Sequence, residues 1–239
     1  MKSTLQNILL AFGLAALGGA TVHAQGNGNP NPGILPPHAN FKGKTMSEWS
    51  VAWWQWVQGT EGRVQMYDAT GEFAYVNDNG ADGVFFLAKS WAEVPQERHV
   101  VIPSGTPLFV PVMGIATFRF PPDGLLDRWG SFQGLLDVFP PSDMNDLEIV
   151  IDGEPVAALE DGNLHYLHYF GEDGFDVDGE FPLVTFSDGV VRQGMGYEIL
   201  LLLAPLPPGD HVIEMKGKFA PDFESDVTYH LTVLPGRRK

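Results

Sequence analysis

Residues 45–59 read TMSEWSVAWWQWVQG and hold four of the chain's six tryptophans. Thr45 and Glu48 have the spacing of a capping box. Its hydroxyl accepts from the amide three residues on, and its carboxylate accepts from the cap amide. Trp49, Ala52, Trp53, Trp56 and Val57 then recur at i, i+3, i+4, i+7 and i+8, one stripe of a helix. Gly59 ends it. Such a helix must dock on a large apolar partner, because each indole removes roughly 150–250 Å² from water when covered. Trp54 falls off the stripe, beside Ser50 and Gln58, and is expected on the polar side.

The partner is a sheet. Val84 to Ala88 is apolar throughout, as in a strand covered on both faces. Val100 to Ile102, Leu108 to Val110 and Thr117 to Phe120 continue the β pattern. Leu147 to Ile151 alternates and meets Asp152-Gly153, a strong hairpin signal before Glu154-Pro155. Tyr197 to Leu203 and His211 to Phe219 read as a second hairpin with a longer loop, Leu206-Pro207-Pro208-Gly209. In the last strand Val227, Tyr229, Leu231 and Val233 share one face; Thr228, His230 and Thr232 share the other. One excursion interrupts the strands. Leu125, Trp129, Phe132, Leu136 and Phe139 keep helical spacing, weakened by Gly130 and Gly134. The expectation is a mainly β protein: an antiparallel sandwich, immunoglobulin-like or jelly-roll-like, with a Trp-rich N-terminal helix and a short helical excursion.

The ends read differently. Lys2, an apolar run from Ile8 to Ala20 and the small-x-small site Val22-His23-Ala24 match a secretory signal peptide cleaved after Ala24, residues 1–24. Residues 25–40, QGNGNPNPGILPPHAN, read as a flexible lead-in; residues 41–235 read as one sandwich domain, and 236–239 as a basic tail. The expected location is secreted or periplasmic, with no membrane span. There are no cysteines, which removes thiol nucleophiles and thiolate metal sites. The 14 Lys and Arg face 30 Asp and Glu, a net charge of −16 that repels nucleic acid. Partners consistent with that field are cations, neutral glycans and basic proteins.

The order of motifs is similar to that of a family of secreted bacterial proteins with no assigned activity. It runs through Glu48-Trp49-Ser50, Trp53-Trp54-x-Trp56, Asp68-x-Thr70-Gly71, Ile102-Pro103-x-Gly105-x-Pro107, Asp152-Gly153-x-Pro155 and Asp226-Val227-Thr228-Tyr229-His230-Leu231-Thr232-Val233. The resemblance covers most of residues 41–235 and implies export. It also implies a cysteine pair in relatives, whose nearest positions here are Ala74 and Val100.

Candidate chemistry is sparse. Asp173, Asp176, Asp178 and Glu180, next to Glu172 and two glycines, offer oxygen ligands for Ca²⁺ without the EF-hand spacing. Asp78, Asn79 and Asp82 are a second oxygen-rich turn. His165 and His168 would diverge on a strand. His211 suits a satisfied edge histidine, and His230 falls on the polar face. Trp54, Trp91 and Trp129 are the tryptophans least explained by a core, and exposed indoles on a sandwich can stack on sugar rings. The first expectation is thus an exported, non-catalytic binding protein, with glycan a candidate ligand. The alternatives are an extracellular hydrolase whose acids and histidines converge in the fold, and a self-associating envelope protein.

Overall fold

The computed structural model describes residues 33–92, 94–118, 132–156, 159, 164–171, 183–219 and 223–236. The helix α1 spans Met46–Gln58, and a second, α2, spans Phe132–Val138. The strands are β1 (Phe85–Phe86), β2 (Gln96–Ile102), β3 (Leu108–Phe118), β4 (Met144–Ile151), β5 (Glu154–Pro155), β6 (Leu167–Phe170), β7 (Leu183–Thr185), β8 (Val191–Leu203), β9 (Gly209–Phe219) and β10 (Phe223–Val233). They form two sheets. The first runs β1-β3-β8-β6, with β7 also on β8; the second runs β2-β10-β9-β4-β5.

The protein is a mainly β sandwich with α1 as a third layer. Val110, Met113, Tyr197, Ile199 and Leu201 of the first sheet meet Val100, Ile149, Ile213, Val227 and Leu231 of the second. On the other face of the first sheet, Phe109, Phe118, Phe170, Leu200 and Leu202 pack under the α1 tryptophans. The first sheet is therefore covered twice, which is why β8 ends in the unbroken run Ile199 to Leu203. The second sheet is covered once, and β2 and β10 alternate buried and open positions.

Close packing within the first sheet rests on glycines of β8. A Cβ at Gly196 would strike the Ile115 carbonyl oxygen and lie 2.8 Å from Ala116 Cα; one at Gly194 would press into the Phe118 ring. The capping box forms as expected: the Glu48 amide donates to Thr45 Oγ1 at 3.2 Å, and the Thr45 amide donates to Glu48 Oε2 at 2.7 Å. Three indoles also pin backbone. Trp49 donates to Phe41 O, Trp53 to Leu87 O and Trp56 to Val76 O, so one helix ties three separate segments.

Several expectations change. Trp54 is only 2% exposed, and its neighbours Ser50 and Gln58 are buried too. The face expected to be polar lies against Phe118 and the Lys89 ammonium, so α1 is wrapped on two sides. The sheets are not wholly antiparallel: β1 runs parallel to β3, and β2 runs parallel to β10. No tight turn joins either pair, so no turn dictates their direction. The strands expected as a second hairpin belong to different sheets. Residues 204–208 cross between β8 and β9, and prolines there lack the N–H a ladder needs. The first hairpin holds, with positive φ at Asp152 (52°) and Gly153 (82°) as a type I′ turn requires.

In the excursion, α2 buries Phe132 and Leu135 against Met195, while Trp129 lies outside the described residues. Ala74 and Val100, the positions matched to cysteines, are both buried in the inter-sheet core. Among the described residues no helix is long and apolar enough to cross a membrane.

Glycine contacts give a test. Gly196→Ala should cost about 3 kcal/mol or more, because backbone must move. Gly105→Ala has open space around it and only a positive φ of 77° to resist, so about 1 kcal/mol is expected. Urea unfolding of the two variants should rank them in that order.

Candidate functional site

The strongest candidate for a ligand is a groove of about 400 Å³ lined by Trp91, Ala92, Val94, Pro95, Phe223, Glu224 and Asp226. Its floor is aromatic. Trp91 meets Phe223 edge-on at 6.3 Å and Tyr67 edge-on at 6.2 Å, and the Arg63 guanidinium sits 4.7 Å from the Trp91 ring centre. Tyr67 is 54% exposed and Val94 63% exposed, so the apolar surface reaches solvent. Burial against the rings lowers the Arg63 pKa, and Tyr67 opposes that shift. Glu224 and Asp226 lie on the face of β10 opposite to Phe223, at the groove's edge, and Lys218 Nζ lies 3.9 Å from Glu224 Oε1.

Trp91, Ala92, Val94 and Pro95 sit on irregular chain, yet that chain is held firmly. The Trp91 amide donates to Met66 O at 2.9 Å, and the Ser90 amide donates to Ser225 Oγ at 3.0 Å. Beneath them lies Arg98, 1% exposed on β2. Its Nε donates to Asp68 O at 2.7 Å, and one terminal nitrogen donates to Ala88 O and to the Tyr229 hydroxyl. The Asp68 carboxylate in turn accepts from the amides of Thr70, Gly71 and Phe73. One guanidinium thus joins the segment that carries Tyr67, the segment that carries Trp91, and β10.

A second polar constellation is sealed. Lys89 Nζ lies 2.7 Å from Glu198 Oε1 and 2.8 Å from Oε2, with both side chains 0% exposed. Lys89 also donates to Gly114 O at 3.2 Å and lies 5.2 Å and 5.3 Å from the Trp53 and Trp54 ring centres. Desolvation dominates both groups, pulling the Lys89 pKa down and the Glu198 pKa up, and their mutual attraction opposes it on each. His168 stands opposite Glu198 in the β6–β8 register. Burial, with His38 adding to it, pushes the His168 imidazole down to about 4. Groups this perturbed are what catalytic centres contain. Here both members of the ion pair lie in the closed layer between α1 and the first sheet.

The other candidates resolve individually. Trp54 belongs to that closed layer and offers no surface to a ligand. Trp129 and the acidic residues Asp173, Asp176, Asp178 and Glu180 lie outside the described residues. In the turn with Asp78 and Asp82, Asn79 spends its side chain on Ala74 O, Phe86 O and the Phe86 amide. Lys42 Nζ donates to Gly83 O in the same turn, so an ammonium stands beside this oxygen-rich loop. A larger cleft of about 670 Å³ opens between this turn, α1 and residues 185–189. Its amide Gln55 is committed to the Thr185 backbone on both sides. His165 is exposed and His168 buried, so they do diverge. His211 is satisfied at both nitrogens, by Asp152 Oδ2 at 2.7 Å and Pro207 O at 2.8 Å.

Sequence reasoning singled out Trp91 but missed Tyr67, Arg63 and Phe223. No spacing connects them; only the fold does. The chain matches no family model, no curated protein and no solved structure.

Two tests follow from these charges. Removing one partner of the sealed pair, Lys89→Met or Glu198→Gln, should cost about 3–5 kcal/mol. The double variant Lys89→Met/Glu198→Leu should recover much of it, as read from urea melts. The pH dependence should be two-sided. His168 titrates lower folded than unfolded, so stability falls as pH drops from about 6.5 toward 4. Partial burial works against charge on His211, but its bonds to Asp152 and Pro207 outweigh it and raise its pKa. Its contribution is therefore complete below about 6.5 and is lost as pH rises through the raised value. Thermal melts should show His168→Leu flattening the acid limb and His211→Gln the alkaline one.

Proposed function

We propose that the chain is an exported, non-catalytic binding protein that grips a neutral glycan in the Trp91–Phe223 groove. The carrying observation is a solvent-open aromatic floor beside two carboxylates. The indole of Trp91 and the phenyl ring of Phe223 offer apolar surface to sugar C–H groups, and Glu224 and Asp226 can accept from hydroxyls. The bonds that Arg98 makes keep the groove's segments in place before ligand arrives, which lowers the cost of ordering them. A net charge of −16 disfavours an anionic ligand and is neutral toward an uncharged one. The leader-like residues 1–24 and the resemblance to exported bacterial proteins support export.

Titration with a panel of neutral oligosaccharides, followed by tryptophan emission and calorimetry, tests this reading. Trp91→Ala should weaken binding by about 2 kcal/mol or more, roughly thirtyfold, as loss of a central aromatic anchor does. Trp54→Phe should leave binding unchanged. A panel without any binder, or binding indifferent to Trp91→Ala, would sink the proposal. Release of reducing ends would instead favour hydrolysis, with Glu224 and Asp226 as its carboxylates.

A further inference from the structure

The outward face of β2 and β10 carries a cluster that the groove does not use. In the parallel register His99 stands directly beside His230, and Glu97 precedes His99 by two residues on the same face. The imidazoles stack, 4.7 Å between centres and 13° from parallel. His230 Nε2 lies 3.8 Å from Glu97 Oε2. One ligand atom from each of the three lies within 4.8 Å of the others. Glu97 and His99 are exposed, and the His230 side chain is 38% exposed.

The backbone under the cluster is rigid. β2 is paired with β10 through seven residues, Gln96 to Ile102. On the other edge of β2 the His99 amide donates to Thr70 O at 2.8 Å, and a Cβ at Gly71 would sit only 2.6 Å from His99 O. The strand is thus clamped from both sides while its side chains face water.

We infer that Glu97, His99 and His230 form a surface site for one divalent transition ion of the zinc–copper class. Two imidazole nitrogens and one carboxylate oxygen suit such ions, whereas Ca²⁺ and Mg²⁺ prefer oxygen alone. Three protein ligands leave a coordination position toward solvent. A tetrahedral ion with bonds near 2.0 Å places its ligand atoms about 3.3 Å apart. The three ligand atoms, now within 4.8 Å of one another, must draw together to that spacing, and their side chains are open enough to solvent to turn.

The test uses the full chain without its leader. Calorimetric titration with ZnCl₂ should give one ion per chain, and one equivalent of Cu²⁺ should show two imidazole nitrogens by electron paramagnetic resonance. His99→Ala and His230→Ala should each weaken binding at least about tenfold, a loss that even an outer partner of a metal site causes. Glu97→Gln, at a side chain 75% exposed, replaces the anionic carboxylate by a neutral amide and should also weaken it. Excess Ca²⁺ should not compete. Absence of a stoichiometric ion, or one retained undiminished in Glu97→Gln and the His99→Ala/His230→Ala pair, would overturn the site.

Discussion

The fold depends on shielding one ion pair. Lys89 and Glu198 are wholly withdrawn from water, and an isolated charge at that depth costs several kcal/mol. The pair is tolerable only because each charge faces the other and Lys89 finds a further carbonyl at Gly114. The seal is the tryptophan helix. Trp53 and Trp54 place ring faces over the ammonium, where the ring quadrupole attracts it. Gly114, Gly194 and Gly196 serve the sheet below the helix: a Cβ there would strike Tyr197 O, the Phe118 ring and Ile115 O, so the strands could not lie as close. The helix that forms the third layer thus also covers the buried charge pair.

This arrangement separates perturbed charges from open surface. The sealed pair lies between α1 and the first sheet, while the aromatic groove opens beside the second sheet. The buried pair ties Lys89, just after β1, to Glu198 on β8. The groove instead presents rings and carboxylates on a scaffold braced by Arg98. Binding needs that kind of site: preorganised, amphipathic and reached from solvent.

How much was legible follows from range. The capping box, the Trp49–Trp53–Trp56 stripe and the Asp152-Gly153 hairpin are local, set by residues within a turn or two, and they could be read directly. The alternation of β10 was equally plain. Trp54 was misplaced because a helical stripe reports one covered face, and α1 is covered on two. The crossing after β8 was misread as a hairpin because loop length alone does not say which sheet the next strand joins. Lys89 gave no signal: it follows an apolar run, where a strand-ending lysine usually reaches water. The groove depends on Trp91 and Phe223, and only the fold reveals that they meet.

Both candidate sites hang on the parallel pairing of β2 with β10. Residues alternate between faces along each strand. Inward, Arg98 reaches Tyr229 and braces the groove. Outward, Glu97 and His99 meet His230. A slip of one residue in this register would turn Arg98 out to solvent and push two of the three outward ligands into the core. The alternative register is therefore opposed twice, by a stranded guanidinium and by buried ionisable groups. The order of strands in the chain offers no turn to set this pairing, so the inward network must set it. The outward cluster inherits its geometry from bonds made on the opposite face of the same two strands.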